Sequence, residues 1–261
     1  MYCFRVRKDK MKKALLILLL IFFACVNLSF AQSPEEIYRK GNLSYENEDY
    51  KKAISLYEEL LNKDKVSAEV FYNLGNSYFK LKNIGRAILN YERALRFTPR
   101  DRDLRLNLKF ASSMTIDKID ISEKGFILNV ILFLYNRMNI DELTMLVLTI
   151  YLVVILVLIF SIFFVAKRKT IFYNIGIAIV PLILFSISLI SKIHSENFVK
   201  KAVVLVEKVD VRSGPKEDYL LQFSLHEGTI VRVVKERQSW YEIDLSRDLR
   251  GWLPKDSVEI I

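Results

Sequence analysis

The stretch "NLGNSYFKLKNIGRAILNYERALRFTP", Asn73 to Pro99, decides how the first half of this chain folds. It carries small residues, Gly75, Ala87 and Ala94, where two helices would touch. Tyr78 and Tyr91 stand where a gap would need filling, and Pro99 ends the run. The same pattern lies 34 residues upstream: Gly41 pairs with Gly75, Tyr50 with Ile84, Ala53 with Ala87, Ile54 with Ile88, Tyr57 with Tyr91 and Leu60 with Ala94. Each copy predicts a short helix, a turn at Glu48-Asp49 or Lys82-Asn83, and a second helix. The reason is steric: Gly75 and Ala87 let two backbones approach, and the tyrosines fill the space beside them.

A period of 34 with these residue types resembles the tetratricopeptide repeat, in copies 34–67 and 68–101. The second copy keeps the pattern. The first departs at Lys40, where Leu is usual, and at Ser44, where an aromatic is usual and Tyr45 stands alongside. Lys40 implies that this side of the first helix is exposed, as a terminal repeat requires. Beyond Pro99, "RDRDLRLNLKFASS" keeps helical spacing through Leu104, Leu108 and Ala111, which predicts a capping helix and a region spanning 34–111. The resemblance implies a groove for an extended peptide or a partner helix. Its inward face would use Tyr38, Asn42 and Tyr45, then Tyr72, Asn73, Asn76 and Phe79. Asn offers both donor and acceptor to a peptide backbone, and the rings offer apolar pockets. The alternative is that Tyr38 and Tyr72 simply pack the repeat. Relatives that grip a C-terminal carboxylate use two Asn and converging lysines; here Asn42 and Asn73 are present, but Tyr38 and Asp103 replace the lysines.

Upstream, "MKKALLILLLIFFACVNLSFAQ" has a basic start, an apolar run from Ala14 to Val26 and small residues at Ser29 and Ala31. It predicts a signal peptide over 1–31, with Met11 as an alternative start. Ala24-Cys25 leaves a lipoprotein reading open, although Phe22 and Phe23 fit it poorly. Both cysteines, Cys3 and Cys25, fall inside this segment, so the mature chain is expected to have no disulfide or thiolate chemistry. The net charge of +9 is uneven. Residues 1–31 hold six Lys/Arg against one acid, 32–124 hold 17 against 15, and 192–261 hold 12 against 12. Basic residues therefore flank apolar runs and form no phosphate-neutralising stripe, which argues against nucleic-acid binding. His194 and His226 have no ligand-type cluster beside them, so no metal site is expected.

Two uncharged runs follow the repeats, 143–166 and 171–191, each long enough to cross a bilayer. Lys167, Arg168 and Lys169 lie between them. Positive turns stay cytoplasmic, so the pair predicts a transmembrane hairpin that enters and leaves from the outside, in agreement with the export signal. Pro181 predicts a kink in the second span. The absence of Asp, Glu, Lys, Arg and His from both runs points to anchoring in place of transport. Just upstream, "GFILNVILFLYNRMN" is apolar but too short to span, and predicts an interfacial helix over 125–140.

From Lys201 the pattern turns to short β runs: "AVVLVE", "VDVRSGP", "TIVRVVKE", "SWYEIDL" and "GWLP". Alternation in 229–234 and 240–243, with turns at Ser213-Gly214-Pro215 and Glu227-Gly228, predicts a small barrel. "VRSGP", "LHEGT" and "GWLP" in this order resemble the bacterial SH3 domain across 201–261, a family that binds peptides or cell-wall material. Trp240, Tyr241 and Trp252 would line its groove, with at least one of them sealing the core instead.

The fold class is therefore multi-domain: an all-α tetratricopeptide-repeat region, a two-helix transmembrane hairpin and a small all-β SH3-like barrel. This order of parts resembles the BatE family, the E component of the Bacteroides aerotolerance operon. The resemblance implies an inner-membrane protein with both soluble modules in the periplasm. Its implied partners are other Bat membrane proteins of the von Willebrand factor A type and a MoxR-type ATPase. No nucleophile–base pair, phosphate-binding glycine loop or metal cluster is legible, so a scaffold without enzyme activity, cofactor or small-molecule substrate is expected. A peptidoglycan-binding sensor acting through the SH3-like part is the alternative.

Overall fold

The structure, a computed structural model, describes residues 33–117, 137–163, 168–198, 200–246 and 249–261. The expected signal peptide, both cysteines, residues 125–136 of the expected interfacial helix and Lys167 of the basic turn lie outside the described residues. The chain divides into two compact units between Lys65 and Val66.

The first unit holds α1 (Pro34–Glu46) and α2 (Tyr50–Asn62). Ser33 caps α1 by accepting from the Glu36 amide, and Asp49 caps α2 by accepting from Lys52. Such caps satisfy donors that the first helical turn leaves open. Glu48 turns the chain in the left-handed region, φ 61°. Gly41 is required by close approach: a Cβ there would stand 2.6 Å from the Tyr57 ring. Lys40 stays at the surface in an ion pair with Glu36, while Ser44 is buried.

The second unit opens with α3 (Ala68–Lys80), α4 (Ile84–Phe97) and α5 (Arg102–Ser113), capped by Ser67, Asn83 and Asp101. Here the 34-residue period becomes geometry. Lys82 takes φ 61°, as Glu48 does, and a Cβ on Gly75 would meet Tyr91 at 2.7 Å. Ala53, Ile54, Tyr57 and Leu60 are buried in α2, and their counterparts Ala87, Ile88, Tyr91 and Ala94 are buried in α4. Leu104 and Ala111 bury one face of α5, which packs against α4.

Next come α6 (Ile140–Phe163) and α7 (Arg168–Phe198), which pack against each other. Asn139 and Glu142 form a reciprocal cap on α6: Glu142 N–H donates to Asn139 Oδ1 at 2.8 Å, and Asn139 N–H donates to Glu142 Oε2 at 3.1 Å. Among the described residues one helix, over Ile140–Phe160, is long and apolar enough to cross a membrane; Ile179–Ser195 of α7 is a shorter apolar stretch. Pro181 lies within α7.

The β region comprises β1 (Lys201–Val204), β2 (Lys208–Arg212), β3 (Leu221–His226), β4 (Ile230–Arg237), β5 (Trp240–Ser246), β6 (Leu249–Pro254) and β7 (Val258–Ile260). All pairings are antiparallel, in the order β3-β2-β6-β5-β4-β1-β7. One buried cluster takes residues from every strand: Ala202 and Val204, Val209 and Val211, Leu225, Val231 and Val233, Ile243, Leu253, and Val258. The sheet must therefore wrap around its own core, the arrangement a small SH3-like β domain needs. Sequence reading did not mark β3 as a strand. Its first four residues are exposed or half-buried, so the alternation that identifies a strand is weak there.

Candidate functional site

In the first unit, Tyr38, Asn42 and Tyr45 fall four and three residues apart on one face of α1. Tyr38 lies 6.2 Å from the Tyr57 ring, and the Tyr57 hydroxyl donates to Asn42 Oδ1 at 2.8 Å. Tyr45 meets Tyr50 edge-on at 5.3 Å. Asn42 thus ties α1 to α2 as well as standing on the expected face.

The second unit repeats the arrangement. Tyr72 lies 6.2 Å from Tyr91, whose hydroxyl donates to Asn76 Oδ1 at 2.7 Å. Helix α5 then covers much of this face. Asn107 Nδ2 donates to the Tyr72 hydroxyl and to Asn76 Oδ1, both at 3.1 Å, and Phe110 sits 5.6 Å from Phe79. Tyr72, Asn76 and Phe79, expected to face a ligand, face the chain's own helix here. Asn73 lies one position further round α3 and is half-buried; its carbonyl accepts from Ser77 Oγ at 2.8 Å.

In the β domain the pairing register separates the three aromatics. Trp240 faces Pro254, Glu242 faces Trp252 and Asp244 faces Arg250 across β5 and β6, so Trp240, Glu242 and Trp252 share one side of the sheet. Both indoles are half-exposed. Glu242 lies between them, only 13% exposed, with Arg250 at 2.9 Å and Lys235 at 3.5 Å. Tyr241 points to the opposite side. It packs on the core cluster, with the Lys255 ammonium 5.1 Å from its ring centre. The three aromatics thus divide: Tyr241 packs on the core, and the two tryptophans share a face with a carboxylate in it, because residues adjacent on a strand face opposite ways.

A junction within the second unit was invisible in the sequence. The turn between β3 and β4 docks against α4 and the segment after α5. Glu227 Oε1 accepts the Gly85 amide at 2.8 Å, at the start of α4, where open amides favour a carboxylate. The Asp117 carboxylate accepts the His226 amide at 2.7 Å and the Thr229 hydroxyl at 2.6 Å, and lies 3.0 Å from His226 Nδ1. Burial pushes the Asp117 carboxyl up, but the hydrogen bonds from Thr229 and His226 outweigh it and hold it below the ordinary carboxylate range. Gly228 takes φ 85°, and a Cβ there would meet Thr115 at 2.6 Å. Further along α4, Arg93 donates to Glu259 Oε1 at 2.9 Å and to the Ile260 carbonyl at 2.6 Å. These partners are 109 to 167 residues apart in the chain, beyond any local sequence signal.

Among the described residues no group of three His, Cys, Asp or Glu side chains is placed to hold a metal ion.

Comparison with protein families agrees with this division into modules. A tetratricopeptide repeat model matches residues 68–101, a TPR repeat model matches 41–82, and a bacterial SH3 domain model matches 206–259. No curated protein matches the chain. The chain thus carries TPR repeats and a bacterial SH3 domain, modules whose kinds point to protein–protein interaction and, for the SH3 domain, to cell-wall binding.

Proposed function

We propose that this chain is a non-enzymatic, membrane-anchored scaffold that presents its repeat and SH3-like modules in the periplasm to a Bat-type complex of membrane proteins. The observation that carries the reading is the pairing of two non-catalytic binding modules in one chain. The anchor is supported by Ile140–Phe160, where Leu152, Leu156 and Ile159 leave large apolar side chains exposed, a costly arrangement in water. The repeat face is supported by α5, which shows what α3 accepts: an amide on Tyr72 and Asn76, and a ring on Phe79. In-membrane crosslinking of the full chain, followed by identification of what attaches to 34–111, tests the scaffold. The expected product is a von Willebrand factor A-type membrane protein, lost in Tyr45→Ala with Asn73→Ala while helicity is unchanged. Undiminished capture by that variant rejects the proposed face.

The second reading, a peptidoglycan sensor, is favoured by one feature: Trp240 and Trp252 half-exposed on one side of the sheet. Its test is retention of the full chain on purified sacculi and loss of retention in Trp240→Ala with Trp252→Ala. No retention of the unmodified chain removes it.

A further inference from the structure

The start of the apolar helix α6 is held by the corner between α4 and α5. Asn139 Nδ2 donates to the Phe97 carbonyl at 3.2 Å, and Arg100 pairs with Glu142. Asp141 and Glu142 are the last charges before the uncharged run 143–166, so on the anchored reading the hydrocarbon begins near Leu143. The other apolar run ends at the same corner. Lys192, the first charge after 171–191, is only 6% exposed and shares a cleft with Leu95 and Pro99.

Helix geometry then fixes a height. Asn139 precedes Leu143 by four residues, about 6 Å along a helix axis, and any tilt of α6 lowers that height. Headgroups extend about 5–8 Å beyond the hydrocarbon on each side. The end of α4, bonded to Asn139, therefore falls at the level of the headgroups.

The surface at that level is apolar. An open cleft of about 580 Å³ is lined by Val66, Phe97, Ile140, Ile260 and Ile261, with buried Phe71 behind them. Phe97 stacks on Phe71 at 6.2 Å and is still 43% exposed; Val66 is 47% exposed. Two arginines also line the cleft, and both are bonded within the protein. Arg93 reaches Glu259 and the Ile260 carbonyl, and Arg96 reaches the Ile261 main-chain oxygen. Asp141 is exposed beside them, as a charge next to headgroups and water can be. Large apolar side chains left open in this position are costly in water and favoured at a lipid interface.

We propose that the Val66–Phe97 face rests in the headgroup layer of the leaflet that α6 enters, with lipid as its occupant. The proposal rests on the anchored reading above, and continuity with the span is what selects lipid over a protein partner. The test uses the full chain in phosphatidylcholine nanodiscs, with Cys3→Ser and Cys25→Ser, and a nitroxide label on Val66→Cys, Phe97→Cys or Leu152→Cys. Oxygen concentrates in lipid and a nickel chelate in water, so the ratio of the two accessibilities reads depth. Leu152, 58% exposed in α6, reports the span itself. Ratios above that of free label in buffer are expected at Val66 and Phe97, and a higher one at Leu152. A lipid-like ratio at either Val66 or Phe97 supports the proposal, so a label that disturbs one site leaves the other to decide. Absence of a lipid-like ratio at both overturns it, whether water reaches the labels or protein covers them from both reagents. The anchor still stands in that case if Leu152 is lipid-like. A water-like ratio at Leu152 overturns the anchored reading and this proposal with it.

Discussion

Asp117 belongs to no helix or strand, yet its carboxylate collects bonds from both His226 and Thr229. A carboxylate with several donors is favoured in its charged form, and that preference makes the junction acid-sensitive. Its folded-state pKa is lowered, so its contribution is present above the unfolded value of about 3.9 and is lost as pH falls through the lower folded value. Asp117→Asn should cost about 1–3 kcal/mol at pH 7, because the amide presents donors where His226 and Thr229 also donate. Thermal unfolding of variant and parent across pH checks this: the gap should close below about pH 4. A gap that persists unchanged into acid would show that the charge of Asp117 is not what holds the turn. At the same scale, Asn42 and Asn76 were legible as polar residues on a helix face. Their bonds to Tyr57 and Tyr91 were not, because a side chain 15 positions away becomes a neighbour only when two helices close.

At the scale of elements, the helices of the repeats are locally overdetermined. Each of the five begins at a Ser, Asp or Asn whose side chain accepts an amide three residues on. That signal stands in the sequence beside the 34-residue period and could have marked every start. Ser67→Ala should lower the stability of α3 by about 1 kcal/mol, seen as faster hydrogen exchange at Val70. Unchanged exchange there would mean that packing alone holds the helix start. Helix α5 was legible as a cap through Leu104 and Ala111, but its cover over Tyr72, Asn76 and Phe79 was not. That contact uses Asn107, a polar residue beside Leu104 and Ala111 on their face, and the exposed Phe110, neither of which reads as a core position. Strand β3 was missed for a related reason: a half-covered edge strand leaves little alternation to read.

At the scale of the whole molecule, the proposed anchor carries a directional prediction. On the proposed orientation, a periplasm-active reporter inserted after Arg168 should be silent and one fused at Ile261 should be active, because positive charge at Lys167, Arg168 and Lys169 favours the cytoplasmic side. The reverse pattern would overturn the orientation. The junction between the SH3-like turn and α4 also decides which side of the β domain is open to a ligand. The Glu227–Gly228 turn is occupied by Gly85 and Asp117, whereas the Trp240 and Trp252 side of the sheet is turned elsewhere and stays half-exposed. A ligand for the SH3-like domain is therefore expected on the tryptophan side.

Periodicity, small residues at helix contacts, uncharged runs and turn-marked β alternation needed no tertiary information. They are written into neighbouring residues because helices and strands form by local rules. The helical repeats, the apolar helix and the β domain were legible for that reason. Three things waited for the tertiary structure: which aromatics face outward, which polar groups already have partners, and which corner of the repeats holds the start of the apolar helix. Each depends on residues far apart in the chain coming together, and only the packing of one element against another determines that.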